Sequence, residues 1–150
     1  FLVTEAKMFS KLSPGVTNAR YFNQAARSVA CIAETICRAQ IPPSSFEKIG
    51  FFVVAPESQI KSSVFADSLV PKKILDIVDR RVSEYQELQK DKWFSDWFIP
   101  TLEKTIIQEF SWEELIGLIK QYDTAVGAQI DGFYGKCLEF NKHIKKGGLF

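Results

Sequence analysis

Residues 1–9 read FLVTEAKMF and residues 49–55 read IGFFVVA, and between them ARYFNQAARSVACIAETICRA runs from 19 to 39. The first stretch alternates as a strand does. Phe1, Val3, Glu5, Lys7 and Phe9 share one face, and Leu2, Thr4, Ala6 and Met8 share the other. The second face is the more apolar, so it is expected to pack on a helix. The middle stretch carries an apolar stripe at helical spacing through Phe22, Ala25, Ala26, Val29, Ala30, Ile32, Ala33, Ile36 and Cys37. Its alanines permit close approach to a sheet, and Arg20, Gln24 and Arg27 fall on one of its faces. Residues 49–55 are nearly continuous in apolar side chains, as in a strand covered on both faces. Strand, helix, strand over this length predicts a right-handed parallel crossover, hence an α/β fold.

The boundaries of these elements are marked by turn chemistry. Pro14-Gly15 signals a loop over 10–18, with Thr17 or Asn18 as the expected helix cap. Pro42-Pro43-Ser44-Ser45 stops the helix, and Pro56 ends the second strand. Beyond residue 70 the pattern predicts a helical half over 71–145. Pro71 opens PKKILDIVDRRVSEYQELQ, and residues 92–108 hold Trp93, Trp97, Phe98, Leu102, Ile106 and Ile107 with a break or kink at Pro100. Ser111-Trp112-Glu113-Glu114 is a capping box at the start of a helix over 111–121. A last helix is expected over 124–143, with 145–150 as a frayed tail. There is no internal repeat and no low-complexity segment.

Composition sets the class. The chain has 150 residues, 46% hydrophobic and 25% charged, with a formal net charge of +1. This is enough for one domain with a real core, residues 1–150. No run of apolar residues is long enough for a membrane span. The start lacks the basic region and long apolar run of a signal peptide. Three cysteines without framework spacing predict a reducing, cytoplasmic setting. The only methionine is Met8, inside the first strand, and the chain opens on Phe1, so further strands are expected upstream. Residues 1–50 hold six Lys or Arg against three Asp or Glu. That local positive excess suits a phosphate-rich partner.

The sharpest chemical feature is Glu5-x-Lys7. Residues two apart on a strand project from the same face, so a carboxylate that binds a hard divalent cation stands beside an ammonium that orients water and stabilises phosphate charge. The alternative is an ion pair on a solvated strand. In its order of elements, VTEAKMF, then NARYFNQAARSVACIAETI, then IGFFVVAPE, the chain resembles the PD-(D/E)xK nuclease superfamily, the restriction-endonuclease-like fold, over residues 1–57. The resemblance implies Mg²⁺-dependent hydrolysis of DNA phosphodiesters. It makes Glu5 the metal-binding acid, Lys7 the catalytic lysine and Gln24 the polar helix residue that positions one of them. Two departures stand out. Tyr21 precedes Gln24, so the Gln-x-x-x-Tyr pattern is not present. The family's Asp, on the strand before the motif strand, has no counterpart here. The competing expectation is therefore a catalytically inactive nuclease-like domain that binds nucleic acid, or binds protein through its C-terminal aromatic helices.

Other residues carry weaker signals than that site. Glu57, at the end of the second strand, sits where ligands gather on parallel sheets; a solvated strand end is the alternative. Lys11, Ser13 and Asn18 on the loop, and Arg20 and Arg27 on the helix, are candidates for phosphate contact or simply solvated polar residues. Cys31 and Cys37 are six apart on one helix and cannot converge on zinc with Cys137 and His143, so buried thiols are expected. His143 lacks a nucleophile partner, and Gly147-Gly148 has no strand before it or helix after it. Trp93, Trp97, Phe98, Phe110 and Trp112 are either core or a partner surface.

Overall fold

A computed structural model describes residues 1–85 and 88–146, with side chains described outside 88–90 and 142–146. The elements are β1 (Leu2–Ala6), α1 (Gln24–Ala39), β2 (Ile49–Ala55), α2 (Glu57–Lys61), α3 (Pro71–Ser83), α4 (Leu88–Trp93), a π-helical turn (Phe94–Phe98), α5 (Ile99–Lys104), β3 (Thr105–Ser111), α6 (Trp112–Tyr122) and α7 (Thr124–Lys146). The three strands form one parallel sheet in the order β1-β2-β3. Residues 147–150, which include Gly147-Gly148, lie outside the described residues.

Helix α1 forms where the apolar stripe predicts, but it starts later. Asn23 is the cap: its side-chain oxygen accepts the Ala26 N–H at 3.0 Å. Residues 15–22 are a compact turn, closed by Gly15 N–H to the Arg20 carbonyl and Phe22 N–H to the Ala19 carbonyl. Neither Thr17 nor Asn18 caps the helix, and Arg20 stands off the helical face it was expected to share. At the other end Gln40 takes the left-handed conformation (φ 54°) and returns its N–H to the Cys37 carbonyl. Ala25, Ala26, Val29, Ile32, Ala33 and Ile36 are buried. The larger ones contribute roughly 1.5–3 kcal/mol each on leaving water.

Helices α1, α3 and α5 gather on one side of the sheet. The core joins α1 to Phe51, Val53 and Ala55 of β2, to Ile74, Val78 and Val82 of α3, and to Phe65, Phe98 and Leu102. Val3 and Ile107 pack against it from the flanking strands. The expectation for β1 is thereby reversed. Leu2 is 64% exposed, Thr4 and Ala6 are exposed, and the Val3, Glu5, Lys7 face turns to the helix. The reason lies in β2, where Phe51 and Val53 on one face and Phe52 and Val54 on the other are equally apolar. Alternation in β1 alone cannot say which of the two lies under α1.

A second correction concerns the helical half. Residues 105–111, TIIQEFS, are a strand that pairs with β2 from Ile49↔Thr105 to Ala55↔Ser111. Ile106 and Ile107 belong to it and not to a helix. The sheet consequently has three strands, and residues 71–145 are not purely helical. The helix begun at Pro71 ends at Ser83. Pro100 sits at the start of α5 rather than breaking it. The π turn before it bonds Ile99 N–H to the Phe94 carbonyl, five residues apart, which accommodates the missing proline donor. Trp93, Trp97 and Phe98 join the core here, with the Phe98 ring stacked against Trp93 and Phe94. The capping box at Ser111 and Glu114 is complete in both directions. The last helix runs on to Lys146, past the expected end at 143. Among the described residues no helix is long and apolar enough to cross a membrane.

Candidate functional site

Three of the residues singled out in the sequence meet beside β1. Lys7 follows the strand's last residue and still pairs with β2, its N–H donating to the Val54 carbonyl at 2.7 Å. This keeps its side chain on the Glu5 face. The Lys7 ammonium lies 3.0 Å from Glu5 Oε1, with the two side chains 12% and 28% exposed respectively. It also donates to Gln24 Oε1 at 2.9 Å. Gln24 is the first residue of α1, so the Asn23 cap fixes where its amide points. A helix residue 17 positions away therefore completes a contact that strand spacing began.

The loop between them is tied into the same cluster. Gln24 Oε1 accepts the Ser13 backbone N–H at 3.0 Å and the Ser13 hydroxyl at 3.3 Å, while the Gln24 N–H donates to the Ser13 carbonyl. Arg27, one turn along α1, donates to Ser13 Oγ at 2.8 Å. From the other side, the Trp112 indole N–H donates to the Lys7 carbonyl at 2.9 Å. The first residue of α6 thus anchors the end of β1. A groove of about 380 Å³ runs along the edge, lined by Val3, Gln24, Arg27, Cys31 and Thr35 among others.

The remaining candidates stand apart. Glu57 is the first residue of α2; its side chain pairs with Lys61 at 2.9 Å and its N–H donates to Glu113. Glu113 in turn accepts the Tyr134 hydroxyl at 2.8 Å. Burial, with Glu113 beside it, pushes the Tyr134 phenol up from its ordinary value. Lys11, Asn18 and Arg20 are exposed. Tyr21 is tied to the end of α3: its hydroxyl donates to Glu84, and the Arg80 guanidinium lies 3.8 Å from its ring centre. Burial, then Glu84, holds that phenol above the usual range.

One acid escaped the sequence reading. Glu5 is level with Val53, and Val53 with Glu109, so Glu109 stands on the same sheet face two strands from Glu5. At strand spacing this is about 10 Å between backbones. Glu109 Oε2 is buried with no hydrogen-bond partner among the described residues, and burial pushes its pKa up. The alternation in TIIQEFS was the signal for it. No protein-family model, curated protein or solved structure matches this chain significantly.

A divalent metal is the group that the resemblance implies. Mg²⁺ commonly rests on one or two carboxylates, with water and substrate phosphates completing its shell. Glu5, a partly exposed carboxylate beside the Lys7 ammonium, fits the role of a single anchor. Among the described residues no group of three or more His, Cys, Asp or Glu side chains is arranged to hold a metal ion. The three cysteines are free. Cys31 is exposed, contrary to the expectation of a buried thiol, while Cys37 and Cys137 are partly buried.

Proposed function

We propose that this chain is a nuclease-like domain acting on DNA phosphodiester bonds at Glu5, Lys7 and Gln24. The observation that supports the reading is the Lys7 ammonium held between Glu5 Oε1 at 3.0 Å and Gln24 Oε1 at 2.9 Å. An ammonium pinned by two oxygens on different elements is preorganised toward charge developing beside it, the condition for electrostatic stabilisation of a phosphoryl transition state. Glu5 would hold Mg²⁺, which supplies polarisation of a phosphoryl oxygen and a more acidic bound water. Lys7 holds its proton at Nζ and orients water or a phosphate oxygen. Gln24 fixes the direction of that ammonium. Arg27, through Ser13, adds positive charge where a neighbouring backbone phosphate would pass.

The test is cleavage of labelled DNA by the full chain with Mg²⁺. Lys7→Ala and Glu5→Gln are each expected to lower the rate about 10²–10³-fold while the chain stays folded. Undiminished cleavage in both variants would overturn the proposal. A second reading, a nuclease-like module that binds without cutting, is favoured by the full use of Gln24 Oε1, which accepts from Ser13 as well as Lys7. DNA binding that weakens steeply with salt, without cleavage, is its signature.

A further inference from the structure

A cavity of about 570 Å³ opens between α1, α3 and the turn at 15–22. Phe22, Ala30, Val78, Val82 and Trp93 give it an apolar wall. Arg27, Ala30 and Glu34 recur at i, i+3 and i+7 on α1, and Val78, Arg81 and Val82 at i, i+3 and i+4 on α3, so each helix turns one face toward the space. Ala30 stands in the middle of the α1 face and offers only a methyl group, which leaves the space unfilled. Tyr21, bonded to Glu84 and stacked under the Arg80 guanidinium, ties the turn to the end of α3. Neither Glu5, Lys7 nor Gln24 lines this cavity, so it does not rest on the nuclease reading.

Three charged side chains border the apolar wall, and two of them are answered within the chain. Glu34 pairs with Arg38 at 2.6 Å, and Arg81 with Glu84 at 3.1 Å. Arg27 meets no carboxylate among the described residues. Its Nη2 donates to Ser13 Oγ at 2.8 Å, and the rest of its donor fork has no partner among them. Trp93, whose ring forms part of the wall, has an indole N–H that is buried with no acceptor among the described residues. A buried donor without an acceptor is uncommon, and an oxygen-bearing occupant beside the ring answers it. We propose that this cavity binds a small monocarboxylate with an apolar tail. The tail lies against Phe22, Val78 and Val82, and the carboxylate takes the free N–H groups of Arg27. The volume is that of small-ligand sites, where an apolar lining supplies contact and a few polar groups fix orientation. The unanswered guanidinium sets the sign of the ligand, because it pairs with a carboxylate through two parallel charge-assisted bonds and repels a cation.

Titration calorimetry of the full chain with octanoate and with 1-octanol tests the site. Octanoate is expected to bind at one site per chain, about tenfold more tightly than 1-octanol, since only the carboxylate makes charge-assisted bonds. In Arg27→Gln the two are expected to bind alike. Ala30→Phe fills the cavity and is expected to abolish binding of both, with far-UV circular dichroism unchanged. If that variant loses its helical signal, Cys31→Phe, at an exposed lining position, serves as the second plug. Tryptophan emission reports the place. Its shift on adding octanoate is expected to vanish in Trp93→Phe, while calorimetry still records weaker binding. Absence of saturable octanoate binding at millimolar concentration overturns the proposal. So does a preference for octanoate that survives Arg27→Gln, binding that is indifferent to the plugs, or an emission shift that persists in Trp93→Phe.

Discussion

The two faces of the sheet are built from similar residues and end in different environments. Val3, Phe51, Val53 and Ile107 lie under α1 and the helices that follow it. Leu2, Thr4, Ala6, Ile106 and Gln108 point the other way and are exposed, with Phe52 and Phe110 meeting edge to face at 5.4 Å. Hydrophobicity alone would not rank the two faces. What separates them is that both connections between strands carry their helices to the same side. The covered face therefore holds the core, and it also holds Glu5, Lys7 and Glu109 at its rim. A polar site on a packed face is confined by its neighbours in a way that an open face does not provide.

The largest effect expected from breaking this contrast is on the covered face. Phe51→Ala removes a fully buried ring and should cost about 3–5 kcal/mol in chemical denaturation. A cost no larger than that of Phe110→Ala on the open face would refute the asymmetry. Ser111→Ala comes next. It deletes the hydroxyl that accepts the Glu114 N–H at 3.0 Å and should cost about 1 kcal/mol. Glu114 is informative alongside it, since its bonds with the Ser111 backbone and hydroxyl hold its carboxyl below the ordinary range.

Glu109 sharpens the contrast through pH. Burial raises its pKa in the folded chain, so the folded state binds the proton more readily than the unfolded state. Its contribution to stability is then fully present below the unfolded carboxylate range and is lost as pH rises through the folded value. Replacing it by Gln should remove that part of the decline, seen as a flatter plot of denaturation midpoint against pH above about pH 4. An unchanged slope would mean that Glu109 is solvated. The smallest effect belongs to Leu2→Ser on the open face, expected within about 0.5 kcal/mol of the parent. A loss as large as that at Phe51 would show that something covers the face after all.

The positions of α1, β2 and α6 were legible in the sequence because each depends on local terms. Ala25 through Ile36 gave the helix its stripe, Ile49–Ala55 its uninterrupted apolar run, and Ser111 with Glu114 its reciprocal cap. The strand at 105–111 was not legible beside the aromatic run before it. Ile106 and Ile107 fit the end of a helical stripe as well as an alternating strand. The π turn at Phe94–Phe98, which carries the helix past Pro100, leaves no composition signature. The site was half legible. Glu5 and Lys7 share a face by strand geometry, whereas Gln24 reaching Lys7 depends on Asn23 setting the first turn, and Glu109 on a strand that the pattern concealed.

By itself the sequence determined the parallel strand–helix–strand order, the shared face of Glu5 and Lys7, and the capping box at Ser111 and Glu114. These follow from periodicity and from hydrogen bonds closed within a few residues. Tertiary structure alone decided which face of β1 lies beneath α1, that a third strand completes the sheet, and that Gln24, Ser13, Arg27 and Trp112 converge on Lys7. Those outcomes rest on contacts between residues up to 105 positions apart, which only the packing of helices on one side of the sheet brings within hydrogen-bond reach.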